Sequence, residues 1–296
     1  MIDWMKYRVV YLIISGSMIL FGIYGLVFWG LKPGVDFTGG TIVEYKSDSP
    51  ISTEEATQKL NEQDIHVSSI QIVGQNRYLF RLPPITQEEK DKLTESLSKD
   101  FPNSKFDELR YETVGPSIGS ELIKKTVYAA AIAAGVILLW VAIQFKSFKF
   151  GTSAVLAMFH DTFILTASFA IFGHFWGAEI DFLFVTALLT TLSFSVHDTI
   201  VVYDRIRESQ KTMDEDIKTL ANRAVTETMV RSLNNSFTIV FMLLALLLLG
   251  GTTIRWFAMG LLVGTILGTY SSPFIAVPIL VTWDEVAQKL RFLKKK

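Results

Sequence analysis

The sequence predicts an α-helical polytopic membrane protein with six transmembrane helices and one small α+β domain outside the cytoplasm. Two observations predict this fold class. Of the 57 charged side chains, 28 fall within the 94 residues from 32 to 125, so the other 202 residues are poor in charge. Those residues contain apolar runs of about 20 residues, the length that a helix needs to cross the hydrocarbon of a membrane.

Four of the apolar runs lack any charge, and two contain one acid each. The uncharged runs are 9–31, 126–145, 232–254 and 256–283; the others are 151–173, with Asp161, and 182–203, with Asp198. The first run is either an uncleaved anchor or a signal peptide. Its length of 23 residues and the bulky Phe28-Trp29 pair near its end favour the anchor.

The short loops predict the orientation. With both termini in the cytoplasm, the inside segments carry 15 Lys and Arg residues, whereas the short outside loops carry one, Arg255. The predicted domains are then a cytoplasmic N-terminus and first helix (1–31), an extracytoplasmic domain (32–125), helices two to six with a cytoplasmic amphipathic segment at 205–231 (126–283), and a basic cytoplasmic tail (284–296).

The extracytoplasmic domain alternates strand and helix patterns. Strands are predicted at 41–45, 67–73, 78–82 and 105–114, with a hairpin turn at Gly74-Gln-Asn76. Ser52 with Glu55, and Thr86 with Glu89, form capping boxes that open helices ending near 63 and 99. The order βαββαβ is the ferredoxin-like arrangement, which by itself names no function. We expect this domain to bind a partner or polypeptide surface, and His66 to be a surface residue.

Charged side chains inside a span usually face a bundle interior or a water path. His160-Asp161 and His197-Asp198 are such sites, and Arg231 is the natural counter-charge for Asp198. A carboxylate near a guanidinium stays ionised, and one moved away from it in apolar surroundings takes up a proton. This pair is therefore either a proton-coupled switch or a permanent structural bridge. Each histidine either relays protons or only bonds a neighbouring helix.

Two further sets of residues are candidates for packing or docking. Gly260, Gly264 and Gly268 lie on one helix face, where another helix can approach closely. We interpret four charged residues at the predicted cytoplasmic boundary as an interfacial anchor or docking surface: Asp204, Arg205, Arg207 and Glu208.

Several function classes lack support. The chain has no cysteine, which excludes disulfides, thiolate zinc sites and a cysteine nucleophile. It has no nucleotide-binding P-loop, no His-Glu-x-x-His zinc motif and no Gly-x-Ser-x-Gly elbow. We therefore expect no enzyme activity, no metal and no cofactor. A net charge of -1 gives no sign of a nucleic-acid partner.

Several stretches resemble the SecD/SecF family of protein-export membrane proteins. Gly34-Val-Asp36-Phe37-Thr-Gly39-Gly40 resembles the motif that opens the family's outer domain, and 114–119 resembles its second signature. The run Asp198-Thr-Ile-Val-Val-Tyr-Asp204-Arg205-Ile-Arg207-Glu208, followed later by Arg231-Ser-Leu-Asn234, is similar to SecF rather than SecD members. The family usually has Asn before the fourth-span acid. This chain has His197, which favours a proton over sodium as the coupling ion.

The resemblance implies a SecF-type subunit of the SecDF complex, in the resistance-nodulation-division superfamily. Such a subunit uses the proton or sodium gradient to assist polypeptide translocation through the SecYEG channel. The implied partners are SecD as the second six-helix half, the channel, the translocating polypeptide and the lipid of a bacterial or archaeal cell membrane. The implied ion-coupling residues are Asp198 and Arg231, with Asp161, His160 and His197 beside them.

Two alternatives remain open. The first is a half-sized, proton-driven exporter of small apolar molecules or lipids in the same superfamily. The second is a membrane-embedded hydrolase, which the histidine-aspartate pairs favour and which lacks a placed nucleophile.

Overall fold

The structure is a computed structural model that describes residues 2–145 and 147–294. Lys146 and Lys295-Lys296, the end of the predicted basic tail, lie outside the described residues. In chain order the elements are a 3-10 turn (Trp4–Tyr7), α1 (Arg8–Phe28), α2 (Val35–Thr38), β1 (Gly40–Ser47), α3 (Thr53–Glu62), β2 (Ser69–Gly74), β3 (Arg77–Leu82), α4 (Gln87–Asp100), β4 (Phe106–Val114), α5 (Pro116–Phe145), α6 (Phe148–Trp176), α7 (Phe182–Thr212), α8 (Ile217–Leu249), α9 (Thr252–Ser271), a π-helical turn (Ser272–Ala276) and α10 (Val277–Lys294).

Among the described residues, six helices are long and apolar enough to cross a membrane, which confirms the predicted six spans. They are α1 with the turn before it, α5, α6, α7, α8, and a last span that joins α9, the π turn and α10. The chain divides into two compact units: a bundle unit, Met1–Lys32 with Ala129–Lys296, and an inserted unit, Pro33–Tyr128. The core of the bundle lies where α6, α7 and the last span meet.

The last span contains an irregular turn. The apolar run 256–283 predicts one regular helix, but over Ser272–Ala276 the hydrogen bonding widens to the π pattern, and the N–H of Val277 bonds the carbonyl of Ser272. Pro273 lies in this turn and has no N–H to donate to the preceding turn. A π turn accommodates such a local break within a continuous helix, often at functional sites.

The predicted amphipathic segment 205–231 forms the ends of two long helices. α7 continues to Thr212, and α8 starts at Ile217 after a short link. Ile206 on α7 and Ala221 and Ala224 on α8 are completely buried in the bundle core. The helices therefore extend beyond their apolar stretches because an apolar stripe continues along one face of each.

The inserted unit is an antiparallel sheet of four strands in the order β2-β3-β1-β4. α3 and α4 pack on one face of it, where their apolar side chains join a core built around Val43, Tyr45 and Phe80. This order and layering confirm the predicted ferredoxin-like βαββαβ fold. His66 is exposed, as predicted.

The helices of the inserted unit start where the sequence predicts. Thr86 accepts a hydrogen bond from the N–H of Glu89, whose carboxylate accepts from the N–H and hydroxyl of Thr86, so this capping box is complete. These bonds hold the pKa of the Glu89 carboxyl below its ordinary value. The predicted capping box of Ser52 and Glu55 forms only in part: Ser52 accepts from the N–H of Glu55, but its hydroxyl donates to the carboxylate of Glu54.

Candidate functional site

Asp161 lies at the centre of the bundle core and is completely buried. Its Oδ2 accepts hydrogen bonds from Ser195 Oγ on α7 at 2.6 Å and from Ser271 Oγ on α9 at 2.5 Å. Its Oδ1 lies 2.9 Å from Nδ1 of His160, the preceding residue on α6. Because a buried carboxylate is costly unless hydrogen-bonded, these donors fix α6, α7 and α9 to one another.

A line of polar side chains continues from Asp161 along α7 towards its C-terminal end. The hydroxyls of Thr199 and Ser272 lie 2.9 Å apart, at the start of the π turn. One turn further, the buried hydroxyl of Tyr203 lies 2.6 Å from Ser153 Oγ and 2.9 Å from the carbonyl oxygen of Ala276. We call Ser195, Thr199 and Tyr203 with these partners the polar seam. It joins the irregular turn to α7, and the spacing of four residues within an apolar span is the sequence signal that marks it.

The glycines of α9 lie against α7. A Cβ atom on Gly264 would lie 2.0 Å from Oγ1 of Thr191, and one on Gly268 would lie 3.2 Å from Cα of Ser195. A Cβ on Gly260 would lie 3.2 Å from Cβ of Ala187. The absence of side chains on this face thus allows the close approach that brings the serines of α9 within reach of Asp161.

Asp198 has a more open environment. It is half-buried on α7, and its Oδ2 accepts a hydrogen bond of 2.9 Å from Ser232 Oγ on α8. His197 and Arg231 are exposed on the surface of the bundle unit. Among the described residues, the carboxylate of Asp198 has no cationic nitrogen within 4.0 Å, so the structure does not join Asp198 and Arg231 in an ion pair.

Arg231 instead lines a charged cavity of about 750 Å³ between the ends of α7 and α8. Arg205 crosses this cavity to pair with Glu227 on α8, and it also pairs with Glu208 at 2.7 Å. Arg207 donates to the carbonyl of Gln144 at the end of α5, 2.9 Å away, and Asp204 is exposed. The predicted boundary residues therefore link α7 to α5 and α8.

The paired glycines of the inserted unit sit in a backbone conformation that glycine favours. Gly39 has φ 74° and Gly40 has φ 134°, and they follow the short helix that contains Asp36 and the buried Phe37. Gly119 packs against the same turn, because a Cβ there would lie 2.7 Å from the carbonyl oxygen of Phe37. These two motifs therefore form one close backbone contact at the start of α5.

Comparisons with known proteins give concordant matches. The family described as "Protein export membrane protein SecD/SecF, C-terminal" matches residues 93–286, and the "SecD/SecF GG Motif" matches residues 24–51. Protein translocase subunit SecF of Thermobaculum terrenum is 39% identical over 96% of this chain and 94% of that protein. The SecF subunit of Anaerolinea thermophila is 36% identical with the same coverage. The crystal structure of SecDF from Thermus thermophilus, a translocon-associated membrane protein, superposes with a TM-score of 0.85 at 31% identity, over 96% of this chain and 39% of that one.

Proposed function

Because the chain belongs to the SecD/SecF family and matches its SecF members over nearly its whole length, we propose that it uses an ion gradient, with a SecD partner, to assist polypeptide export through the SecYEG channel. It is a multi-pass transport component rather than an enzyme. In the proposed arrangement both termini face the cytoplasm of a bacterial or archaeal cell, and the inserted unit lies outside.

The need for a second half is supported by coverage and by surface chemistry. The chain spans only 39% of the SecDF chain that it superposes on, while it covers 94% of its SecF relatives. Within the spans, α7 and α8 expose the polar side chains of His197, Arg231, Asn234 and Asn235. Lipid offers no hydrogen bonds to such groups, so this face favours a protein partner over hydrocarbon. We assign it to the contact with SecD.

The observation that carries the coupling proposal is the open position of Asp198 on this face. Only Ser232 donates to it among the described side chains, and Arg231 directly precedes Ser232 on α8. In the proposed cycle, Asp198 is ionised when Arg231 lies close and takes up a proton when the two separate. One charge crossing 100 mV releases about 2.3 kcal/mol, enough to bias two arrangements of the helices.

The test is a translocation assay in proteoliposomes that contain the channel, a SecD partner and this chain. An imposed pH gradient should stimulate polypeptide translocation by the wild type. Asp198→Asn and Arg231→Met should assemble normally and lose this stimulation. Asp214→Asn, an equal change of charge on the exposed α7–α8 link, is the matched control and should retain it. Full stimulation in both span variants would refute the coupling role.

The same assay identifies the ion. We propose that His197, beside Asp198, makes the proton the coupling ion, so a sodium gradient alone should give no stimulation. His197→Asn should change the pH dependence of stimulation because it replaces the ionisable imidazole beside Asp198 with a neutral amide. Equal stimulation by a sodium gradient, or an unchanged pH profile in His197→Asn, would contradict the assignment.

A further inference from the structure

The two outer edges of the sheet in the inserted unit differ in character. The edge strands are β2 and β4, and within the described residues no strand pairs with the outer side of either. An edge strand presents unpaired N–H and C=O groups to any extended chain that approaches it, and proteins usually blunt such edges with charges and bulges.

The β4 edge has both of these protective features. It carries Asp107, Glu108, Arg110 and Glu112, and the register with β1 shifts at Leu109, which forms a bulge. Charges and bulges of this kind prevent another strand from pairing. The β4 edge is therefore closed to strand addition.

The β2 edge has neither feature over most of its length. Its sequence, Ser-Ile-Gln-Ile-Val-Gly, contains no charge, and its pairing with β3 is regular from Ser69 to Ile72. Ile70 and Ile72 point to the helix-covered face of the sheet, opposite Phe80 and Tyr78. Ile72 is 65% exposed, which is unusual for an apolar side chain on this face. The open edge thus has an apolar anchor point beside it.

A groove runs along the same edge between α3 and β2. Its cavity of about 740 Å³ is lined by Ile70 from the strand and by polar side chains of α3, including the carboxylates of Glu54 and Glu62. The exposed Asp64 lies two residues after the end of α3. Among the described residues, no Lys or Arg lines the groove, so its charge is negative.

We propose that the β2 edge receives an extended segment of the exported polypeptide as a fifth strand, with basic side chains preferred along the α3 side. This inference rests on the proposed function. Strand addition suits such a substrate because main-chain hydrogen bonds provide affinity that does not depend on sequence. Apolar side chains of the segment contact Ile70 and Ile72, and basic ones meet Glu54 and Glu62.

The test uses the full chain in nanodiscs of zwitterionic phosphatidylcholine, with empty nanodiscs as the lipid control. The probes are fluorescent peptides of roughly twelve residues, long enough to pair along one strand. The first repeats Val-Thr-Lys-Thr, which puts Val and Lys on the same face of a strand, and is called the Val-Lys peptide. The second is the same peptide with its backbone amides replaced by esters, and the third repeats Val-Thr-Glu-Thr. Fluorescence anisotropy should show binding of the Val-Lys peptide and roughly tenfold weaker binding, or none, for the other two.

Two variants locate the site. Ile72→Lys places a charge on the exposed edge and should weaken Val-Lys binding by roughly tenfold or more. Leu109→Lys is the matched change on the β4 edge and should leave binding unchanged. Because both side chains are exposed, both variants should keep the wild-type circular dichroism. Equal binding by wild type and Ile72→Lys, equal binding of the ester peptide, or an equal signal from empty nanodiscs would overturn the proposal.

The result is separable from the coupling proposal. The binding assay has no gradient, so Asp198→Asn should bind the Val-Lys peptide as the wild type does. Loss of peptide binding with intact gradient stimulation would refute the strand-addition site alone. Intact peptide binding by a wild type that shows no gradient stimulation would instead refute the gradient coupling under Proposed function.

Discussion

The substitution Gly264→Ala tests how closely α9 must approach α7. A Cβ on Gly264 would lie 2.0 Å from Oγ1, 2.7 Å from Cγ2 and 2.8 Å from Cβ of Thr191. A rotation about χ1 moves Oγ1 and Cγ2 but leaves the Cβ of Thr191 in place. Since Thr191 is only 1% exposed, the backbones of the two helices must move apart to admit the methyl group.

The expected loss of stability follows from two opposing effects. Overpacking a well-packed core typically costs about 1–3 kcal/mol. Alanine is favoured over glycine in a helix by up to about 1 kcal/mol, which offsets part of this cost. The free energy of unfolding should therefore fall by about 1–2 kcal/mol. Separation of α9 from α7 should also weaken the bonds from Ser195 and Ser271 to Asp161.

The assay is reversible unfolding in a fixed mixed micelle, followed by the fluorescence of the six tryptophans. Gly135→Ala on α5 is the control, because a Cβ there meets nothing within 4 Å and should cost no stability. In Thr191→Gly all three clashing atoms are absent, so adding Gly264→Ala to that background should cost far less than in the wild type. A Gly264→Ala protein as stable as Gly135→Ala, or an equal cost in both backgrounds, would refute the packing argument.

Three further predictions concern single hydrogen bonds, and each is measured by chemical unfolding. Thr86→Ala removes the side-chain cap of α4 and should lower the free energy of unfolding of the inserted unit by about 1 kcal/mol. An unchanged unfolding midpoint would contradict this, because it would mean that water caps the helix equally well. The folded state lowers the pKa of Glu89 from its ordinary 4.5, so Glu89 contributes stability above that pH and loses this contribution as the pH falls through the lowered value. Glu89→Gln should therefore flatten the dependence of the free energy of unfolding on acid pH. An unaltered dependence in this variant would contradict the argument. Ser271→Ala removes a donor to Asp161 and should cost about 1–3 kcal/mol, whereas Ser168→Ala, which loses only a bond to its own helix, should cost less.

Much of the fold could be predicted from the sequence because its signals are local. Span length and charge depletion depend on neighbouring residues only, and they gave the six spans. Strand alternation and capping residues are equally local, and the predicted strand 78–82 differs from the observed Arg77–Leu82 by one residue. These local signals do not predict the π turn, because its contact partner is distant in sequence: the hydroxyl of Tyr203 donates to the carbonyl of Ala276 in that turn.

The candidate site could be predicted only in part. Asp161 stands out in the sequence because an acid interrupts an apolar run, but its donors lie 34 and 110 residues away. Nothing local to Asp161 identifies Ser195 or Ser271 as those donors. Arg231 stands out in the sequence as a counter-charge for Asp198, yet in the structure Ser232 donates the hydrogen bond to this carboxylate. Consecutive helical residues point about 100° apart, so proximity in sequence does not decide which side chain faces the acid.

The two intramembrane acids differ in a way that assigns them different parts in the proposed function. Asp161 has donors from α7 and α9 and no exposed surface, so a change in its state would break the contacts of three spans at once. Asp198 has one side-chain donor among the described residues and lies on the face assigned to SecD, where a change costs that one hydrogen bond. Because packed cores move as units rather than deform, α6, α7 and α9 should move together as one body. In the proposed function, a gradient-driven rearrangement would then act at the contact of α7 with α8 and SecD, with Asp198 as the acid that drives it.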